Sequence, residues 1–260
     1  MQLLTLLSDF GWQDSYVGIL KGVILGILPT ATIVDLTHGI PPQDIAVARF
    51  QLLMAYAYFP PGAIHVAIVD PGVGSQRRAI AVQTENAYFV APDNGLLSGV
   101  LAQQAIVQAV ELTNADYWRS ASPSTTFHGR DIFAPVAAYL AKGIPIEALG
   151  TPIDPASLVQ LQFPLRQLSR NTYHGCIQAI DHFGNLITNF PAAFVQGWSW
   201  QLQFQQTRYP GQFTYADVRQ GSPIGLIGSH GYLELAINRG NAQAILQAEV
   251  GDTIELQMSD

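Results

Sequence analysis

Lysine is nearly absent: Lys21 and Lys142 are the only two in 260 residues. With 12 basic residues against 19 acidic ones and a net charge of −7, no strip of positive charge is available to neutralise a phosphate backbone. A nucleic-acid partner is not expected. Cysteine occurs once, as Cys176, which excludes an internal disulfide and points to a reducing compartment. Long apolar runs are missing too. The nearest, residues 16–28, carries Lys21 and ends at Pro29, short of the roughly 18–20 residues that a membrane span needs. The first residues lack the charged region and cleavage site of a signal peptide. A soluble cytoplasmic protein is expected, with no membrane partner.

Charged residues make up only 12% of the chain and hydrophobic ones 48%, against roughly 25% charged in an average globular protein. Such a composition supplies a large core and excludes disorder. It also leaves apolar surface uncovered, for which an oligomer interface is the simplest use.

The N-terminal part alternates strand and helix. Short apolar runs at residues 3–7, 31–36 and 64–69 read as strands, and 14–28 and 43–59 as helices, with Asp14 as N-cap of the first. This rhythm predicts a mostly parallel sheet with helical crossovers. Residues 80–83 and 88–91 read as a hairpin, with helices from Asn94 and over 131–141. Beyond a Pro-, Gln- and Leu-rich connection, residues 175–180, 198–204, 224–227, 232–237 and 253–258 read as short strands of an all-β, barrel-like unit. The expected organisation is an α/β domain over 1–165, a linker at 166–171 and a smaller β domain over 172–260.

Three N-terminal strands run into polar turns bearing Asp9, then Asp35 with His38, then Asp70. Ligand crevices of open α/β sheets lie beyond the carboxyl ends of strands, so these turns point to one shared site, although aspartate also caps turns for purely local reasons. The run Asp70-Pro71-Gly72-Val73-Gly74-Ser75-Gln76-Arg77-Arg78 lets Arg77 fold back towards Asp70. It lacks the Gly-Lys-Ser/Thr ending of a phosphate loop. On chemistry alone an ion-paired structural turn is nearly as compatible with it as a catalytic site. His128 stands just before a helix, where a lone histidine more often caps or packs than catalyses. Two polar segments, Ile180 to Asn189 and Gly228 to Ile237, are dense in donors and acceptors that also suit turns for backbone reasons alone.

Seven motifs in order carry a resemblance: Ser8-Asp9-Phe10-Gly11, Asp35-Leu36-Thr37-His38, Val69-Asp70-Pro71-Gly72-Val73-Gly74, Ala91-Pro92-Asp93-Asn94-Gly95-Leu96, Thr126-Phe127-His128-Gly129-Arg130-Asp131, Ile180-Asp181-His182-Phe183-Gly184-Asn185 and Ser229-His230-Gly231-Tyr232-Leu233-Glu234. Over nearly its whole length the chain resembles the S-adenosyl-L-methionine hydroxide adenosyltransferases, hydrolases related to the fluorinating and chlorinating enzymes. The resemblance implies conversion of S-adenosyl-L-methionine and water to adenosine and methionine, with no cofactor and no metal. It implies Asp70, Arg77 and His128 as the water-activating set and Asp9 as the ribose carboxylate. Asp181, Asn185, Ser229, Glu234 and Ile237 match positions that hold the adenine and methionine parts. It implies a homotrimer with composite sites, the N-terminal domain of one subunit meeting the C-terminal domain of its neighbour.

The halogenating relatives have tyrosine at the place of Asp70 and serine at that of Gly129, and a carboxylate there repels a halide. The resemblance therefore favours hydrolysis. Two other readings stay open: a metal-dependent hydrolase built on Asp9, His38, Asp70 and His128, and a non-catalytic sensor of S-adenosylmethionine or adenosine.

Overall fold

The first strand, β1 (Leu3–Ser8), is buried at all six positions, as a strand covered on both sheet faces must be. In the computed structural model, which describes residues 2–259, it lies between two parallel neighbours, β2 (Thr32–Thr37) and β3 (Ala63–Ile68). The crossovers are α1 (Tyr16–Ile27), which buries Val17, Leu20 and Ile24 along one stripe, and α2 (Ile45–Ala55). Asp44 caps α2 by accepting from the Val47 amide at 2.9 Å. Asp14, expected to cap α1, lies outside the helix; Ser15 holds the N-cap position and makes no side-chain capping bond.

The sheet continues through the hairpin β4 (Ala79–Thr84) and β5 (Ala87–Pro92). After the one-turn α3 (Ser98–Leu101) come β6 (Ile106–Glu111), α4 (Ala134–Ala141) and the two-residue β7 (Thr151–Pro152). Strand order is β2-β1-β3-β5-β4-β6-β7. The sheet is mixed: parallel from β2 to β5, antiparallel from β5 to β7. The helix expected from Asn94 is reduced to α3. The strand β6 escapes a periodicity reading because its burial does not alternate cleanly.

The order of the parallel strands matters for function. From β1 the chain crosses to β2 on one side, and from β2 to β3 on the other. The crevice between the carboxyl ends of β1 and β3 is therefore a topological switch point, where ligands of open α/β sheets bind. Asp9 follows β1 and Asp70 follows β3 by two residues.

The chain divides into two compact units between Leu161 and Gln162. The second unit holds β8 (Arg166–Ser169), β9 (Thr172–Ile180), β10 (Leu186–Pro191), β11 (Ser199–Phe204), β12 (Thr207–Pro210), β13 (Pro223–Ile227), β14 (Tyr232–Ile237), the short α5 (Ala242–Leu246) and β15 (Thr253–Ser259). Where a linker is expected at 166–171, β8 pairs with β9. The antiparallel order β12-β11-β15-β9-β10-β14-β13 curls around Leu186, Phe190, Leu202, Leu233 and Ile254. A bridge between Gly211 and Gly225 nearly closes it into a barrel. No helix among the described residues is long and apolar enough to cross a membrane.

Candidate active site

Beyond the switch point lies a cavity of about 370 Å³ whose walls include Asp9, Tyr16, Asp70, Phe127 and His128. Phe10, Tyr16 and Phe127 pack edge-on or tilted, with centroids 5.3–5.8 Å apart, and give it an aromatic side. The loop after β3 supplies its charged side. Gly74 takes φ +77°, and a Cβ there would stand 2.3 Å from the Thr125 carbonyl oxygen, so only glycine fits. This tight loop returns Arg77 to Asp70: Nε donates to Oδ1 at 2.9 Å and to Oδ2 at 3.1 Å, and Nη2 also donates to Oδ2. The pair is nearly buried, with side-chain exposures of 10% and 7%. The Arg77 guanidinium lies 5.3 Å from the Phe133 ring centre. Its neighbour Arg78 turns away to Asp93 and Ser157.

Arg77 Nη2 also meets His128 Nδ1 at 2.7 Å. A guanidinium has donors only, so Nδ1 must accept and the imidazole proton sits on Nε2. Burial and the adjacent Arg77 charge lower the His128 pKa, outweighing the upward pull of Asp70 and Asp131. His128 is thus a neutral ring presenting an N–H. It precedes the π-helical turn Gly129–Phe133 that leads into α4. Asp9 lies apart from the charged cluster on the same cavity wall, with Oδ2 accepting from the Gln43 amide at 2.8 Å.

In the second unit, Asp181 organises its own turn. Oδ1 accepts from the Phe183 and Asn185 amides at 2.9 and 2.8 Å, and Oδ2 from Asn185 Nδ2 at 2.9 Å. Asn185 and Ile237 line a second cavity of about 570 Å³ together with Phe183, Tyr215, Arg239 and Asn241. Ser229 is exposed in the turn after β13. Glu234 is 3% exposed, and its carboxylate is taken up by Tyr215 Oη at 2.5 Å and His230 Nε2 at 2.9 Å. Gly228 makes room for this network, since a Cβ there would stand 2.2 Å from His230 Nε2. Burial and then the Glu234 bond push the Tyr215 pKa up, keeping the phenol a donor. Tyr215 is the residue that sequence reading missed. Its one signal is the capping box Thr214-Tyr215-Ala216-Asp217, which fixes the turn that carries it.

Among the described residues no group of three or more His, Cys, Asp or Glu is placed to hold a metal ion. The four residues of the metal reading are already engaged: His38 by Ser8 and Asp35, Asp70 and His128 by Arg77, and Asp9 by Gln43.

A mixed α/β unit with a carboxylate–guanidinium–imidazole cluster at its switch point, followed by a nearly closed β unit, defines a two-unit α/β-plus-β class. Residues 4–150 match the SAM hydroxide adenosyltransferase N-terminal domain and residues 175–255 its C-terminal domain. The chain belongs to the SAM hydroxide adenosyltransferase family. It is 38% identical to the (R)-S-adenosyl-L-methionine hydrolase of Salinispora arenicola over 250 residues, 96% of this chain and 95% of that one. A fluorinase of an Actinoplanes species is 29% identical, covering 91% of each. The crystal structure of an uncharacterized conserved protein from Thermotoga maritima superposes with a TM-score of 0.90 at 35% identity, over 98% of this chain and 99% of that one.

Proposed function

We propose that this chain hydrolyses S-adenosyl-L-methionine to adenosine and L-methionine. The observation that carries this reading is the pairing of Asp70 and His128, both on the wall of the switch-point cavity, through Arg77, in a chain of this family. Water attacks ribose C5′ opposite sulfur. The C5′–O bond forms, the C5′–S bond breaks, and its electron pair returns to sulfur as a neutral thioether. A sulfonium is already a cationic leaving group, so departing methionine needs no general acid. The protein must position the water and take its proton.

The hydrogen bonds divide those tasks. His128 with Nδ1 accepting has no free lone pair for a proton, so Nε2–H donates to the water oxygen. A carboxylate offers about four acceptor positions, and Arg77 leaves capacity on Asp70. Asp70 orients the water and receives the proton, while Arg77 stabilises developing hydroxide character. The same carboxylate opposes a halide at this point, which favours water over the halogenating chemistry of fluorinases.

Asp9 binds the ribose diol. Asp181 and Asn185 with Tyr215 and Ile237 form the adenine and methionine side, and Ser229 meets the methionine carboxylate. Glu234 holds Tyr215 and His230 in place. The working unit is a homotrimer in which the first unit of one subunit completes the second unit of its neighbour. Exposed Trp12, Phe183 and Phe213, at 63%, 71% and 98%, support such an assembly, as does the scarcity of charge. The single cysteine supports a cytoplasmic setting.

The test is incubation of purified protein with S-adenosyl-L-methionine of each sulfur configuration in ¹⁸O-water. Adenosine with label at the 5′ oxygen, accompanied by methionine, is the expected product. Bound substrate recovered unchanged over hours would support the sensor, and loss of activity on chelation would support the metal reading.

A further inference from the structure

The motif Asp35-Leu36-Thr37-His38 has no part in the water chemistry, yet its polar groups form a continuous hydrogen-bonded chain with Ser8, the residue before Asp9. Ser8 Oγ lies 2.7 Å from His38 Nδ1, His38 Nε2 lies 3.0 Å from Asp35 Oδ1, and Lys21 Nζ donates to Asp35 Oδ2 at 2.6 Å. Ser8 and His38 are both fully buried. The order serine–histidine–aspartate is that of a hydrolytic triad, but a serine with no access to solvent or to the cavity cannot be a nucleophile. Its oxygen instead accepts from the Phe10 amide at 3.3 Å.

Donor directions follow from the ends of the chain. The ammonium of Lys21 can only donate, which keeps Asp35 an acceptor on both oxygens. His38 Nε2 then donates to Asp35, leaving Nδ1 to accept from the Ser8 hydroxyl, whose lone pairs face the Phe10 amide. The His38 carbonyl accepts from the Gly11 amide at 2.8 Å. Ser8, before Asp9, is thus tied to the buried His38 ring, the Phe10 amide to Ser8, and Gly11 to the His38 backbone, while the Gln43 amide ties the Asp9 carboxylate itself. One of the only two lysines in the chain is spent on this chain of bonds.

We propose that Ser8, His38 and Asp35 are positioning residues that hold the Asp9 carboxylate in register with the ribose hydroxyls of the substrate. This rests on the reading of Asp9 as the ribose carboxylate. Misplacing Asp9 weakens substrate binding while leaving the water site on Asp70, Arg77 and His128 unchanged. A generic loss of fold would lower both together.

The test is steady-state kinetics with S-adenosyl-L-methionine on Ser8→Ala, His38→Gln, His38→Asn and Asp9→Ala, each assayed below its melting transition. An asparagine oxygen falls near the place of Nδ1 and keeps an acceptor for Ser8, whereas a glutamine amide falls near Nε2 and keeps the donor to Asp35. Ser8→Ala and His38→Gln are expected to raise KM about tenfold with kcat changed less than about twofold, and His38→Asn to keep KM within about threefold of the parent. If Asp9→Ala raises KM and neither Ser8→Ala nor His38→Gln does, the relay does not position Asp9. Equal KM for the two His38 variants, or a kcat loss without a KM change, also overturns the proposal. If Asp9→Ala leaves KM untouched, the ribose reading of Asp9 fails first and the relay loses its object.

Discussion

The two units use polar residues in opposite ways. In the first, the polar centre is charged and locked: Arg77 takes both oxygens of Asp70 and the free nitrogen of His128, on a loop that admits only glycine at position 74. In the second, neutral amides, a phenol and turn backbones around Asn185 and Tyr215 border the cavity with Arg239 as its one charged neighbour, and the carboxylates Asp181 and Glu234 are spent on holding Asn185 and Tyr215 in place. A locked ionic cluster has a pre-set field with little left to reorganise, which suits a reaction step. Neutral donors and acceptors beside aromatic rings suit recognition of a purine at low desolvation cost. Under the proposed function, turnover belongs to the first unit and affinity to the second, with Asp9 the exception that binds from the first.

The largest effects should come from the locked cluster. Asp70→Ala, Arg77→Ala and His128→Ala are each expected to lower kcat on the order of 100-fold or more while moving KM little. Single-turnover rates measured beside substrate dissociation constants check this, and near-normal turnover in all three variants would remove the reaction step from the first unit. Next in size, under the proposed role of Asn185 in binding, Asn185→Ala is expected to raise KM about tenfold with kcat within a few-fold, as loss of a contact common to ground and transition states would do.

A pH profile sharpens the contrast. Burial and Arg77 hold the His128 pKa below its ordinary 6.5, so the ring is neutral above that value and gains a proton only at lower pH. Turnover should fall as the pH drops, with the acid limb centred below 6.5; a limb at or above 7 would contradict the neutral His128. Stability of the first unit should also decline in acid. His65, 1% exposed and stacked on Phe89, has its pKa lowered by burial to about 4. Its neutral form contributes stability that is present above pH 6.5 and is lost as the pH falls towards 4, about 3 kcal/mol in all. Denaturant titrations at pH 7 and pH 4.5 on the parent and His65→Phe measure it; an equal drop in both would assign the acid loss elsewhere. The smallest effect concerns Tyr215→Phe, which leaves Glu234 short of one donor and should raise KM only a few-fold.

Which parts were legible in the sequence follows from the same contrast. Strands β1 and β3 are nearly continuous apolar runs that stop at acidic turns, and burial on both sheet faces produces that pattern directly, whereas the edge strand β2 is only half-buried and carries Asp35 within it. The return of Arg77 to Asp70 is foreshadowed by two glycines between them. Edge and near-edge elements leave less of a pattern: β6 is half-buried without alternation, and the two-residue β7 and four-residue β8 are exposed throughout, so tertiary pairing rather than local pattern creates them. Glu234 looks like any strand carboxylate until Tyr215, 19 positions away, is seen to reach it. Long-range partners of that kind leave no local mark.

Subunit mixing tests the division of labour and its completion between subunits most directly. Under the proposed function Asp70→Ala lacks the reaction half and Asn185→Ala the recognition half, so each alone should show little activity at substrate levels below the parent KM. Co-dissociated and reassembled in equal amounts, a ring of composite sites pairs the intact first unit of one chain with the intact second unit of the other at about a quarter of its interfaces. Activity approaching that fraction of the parent is the predicted result. No recovery despite subunit exchange verified by mass, or a monomeric mass in solution, would contradict it.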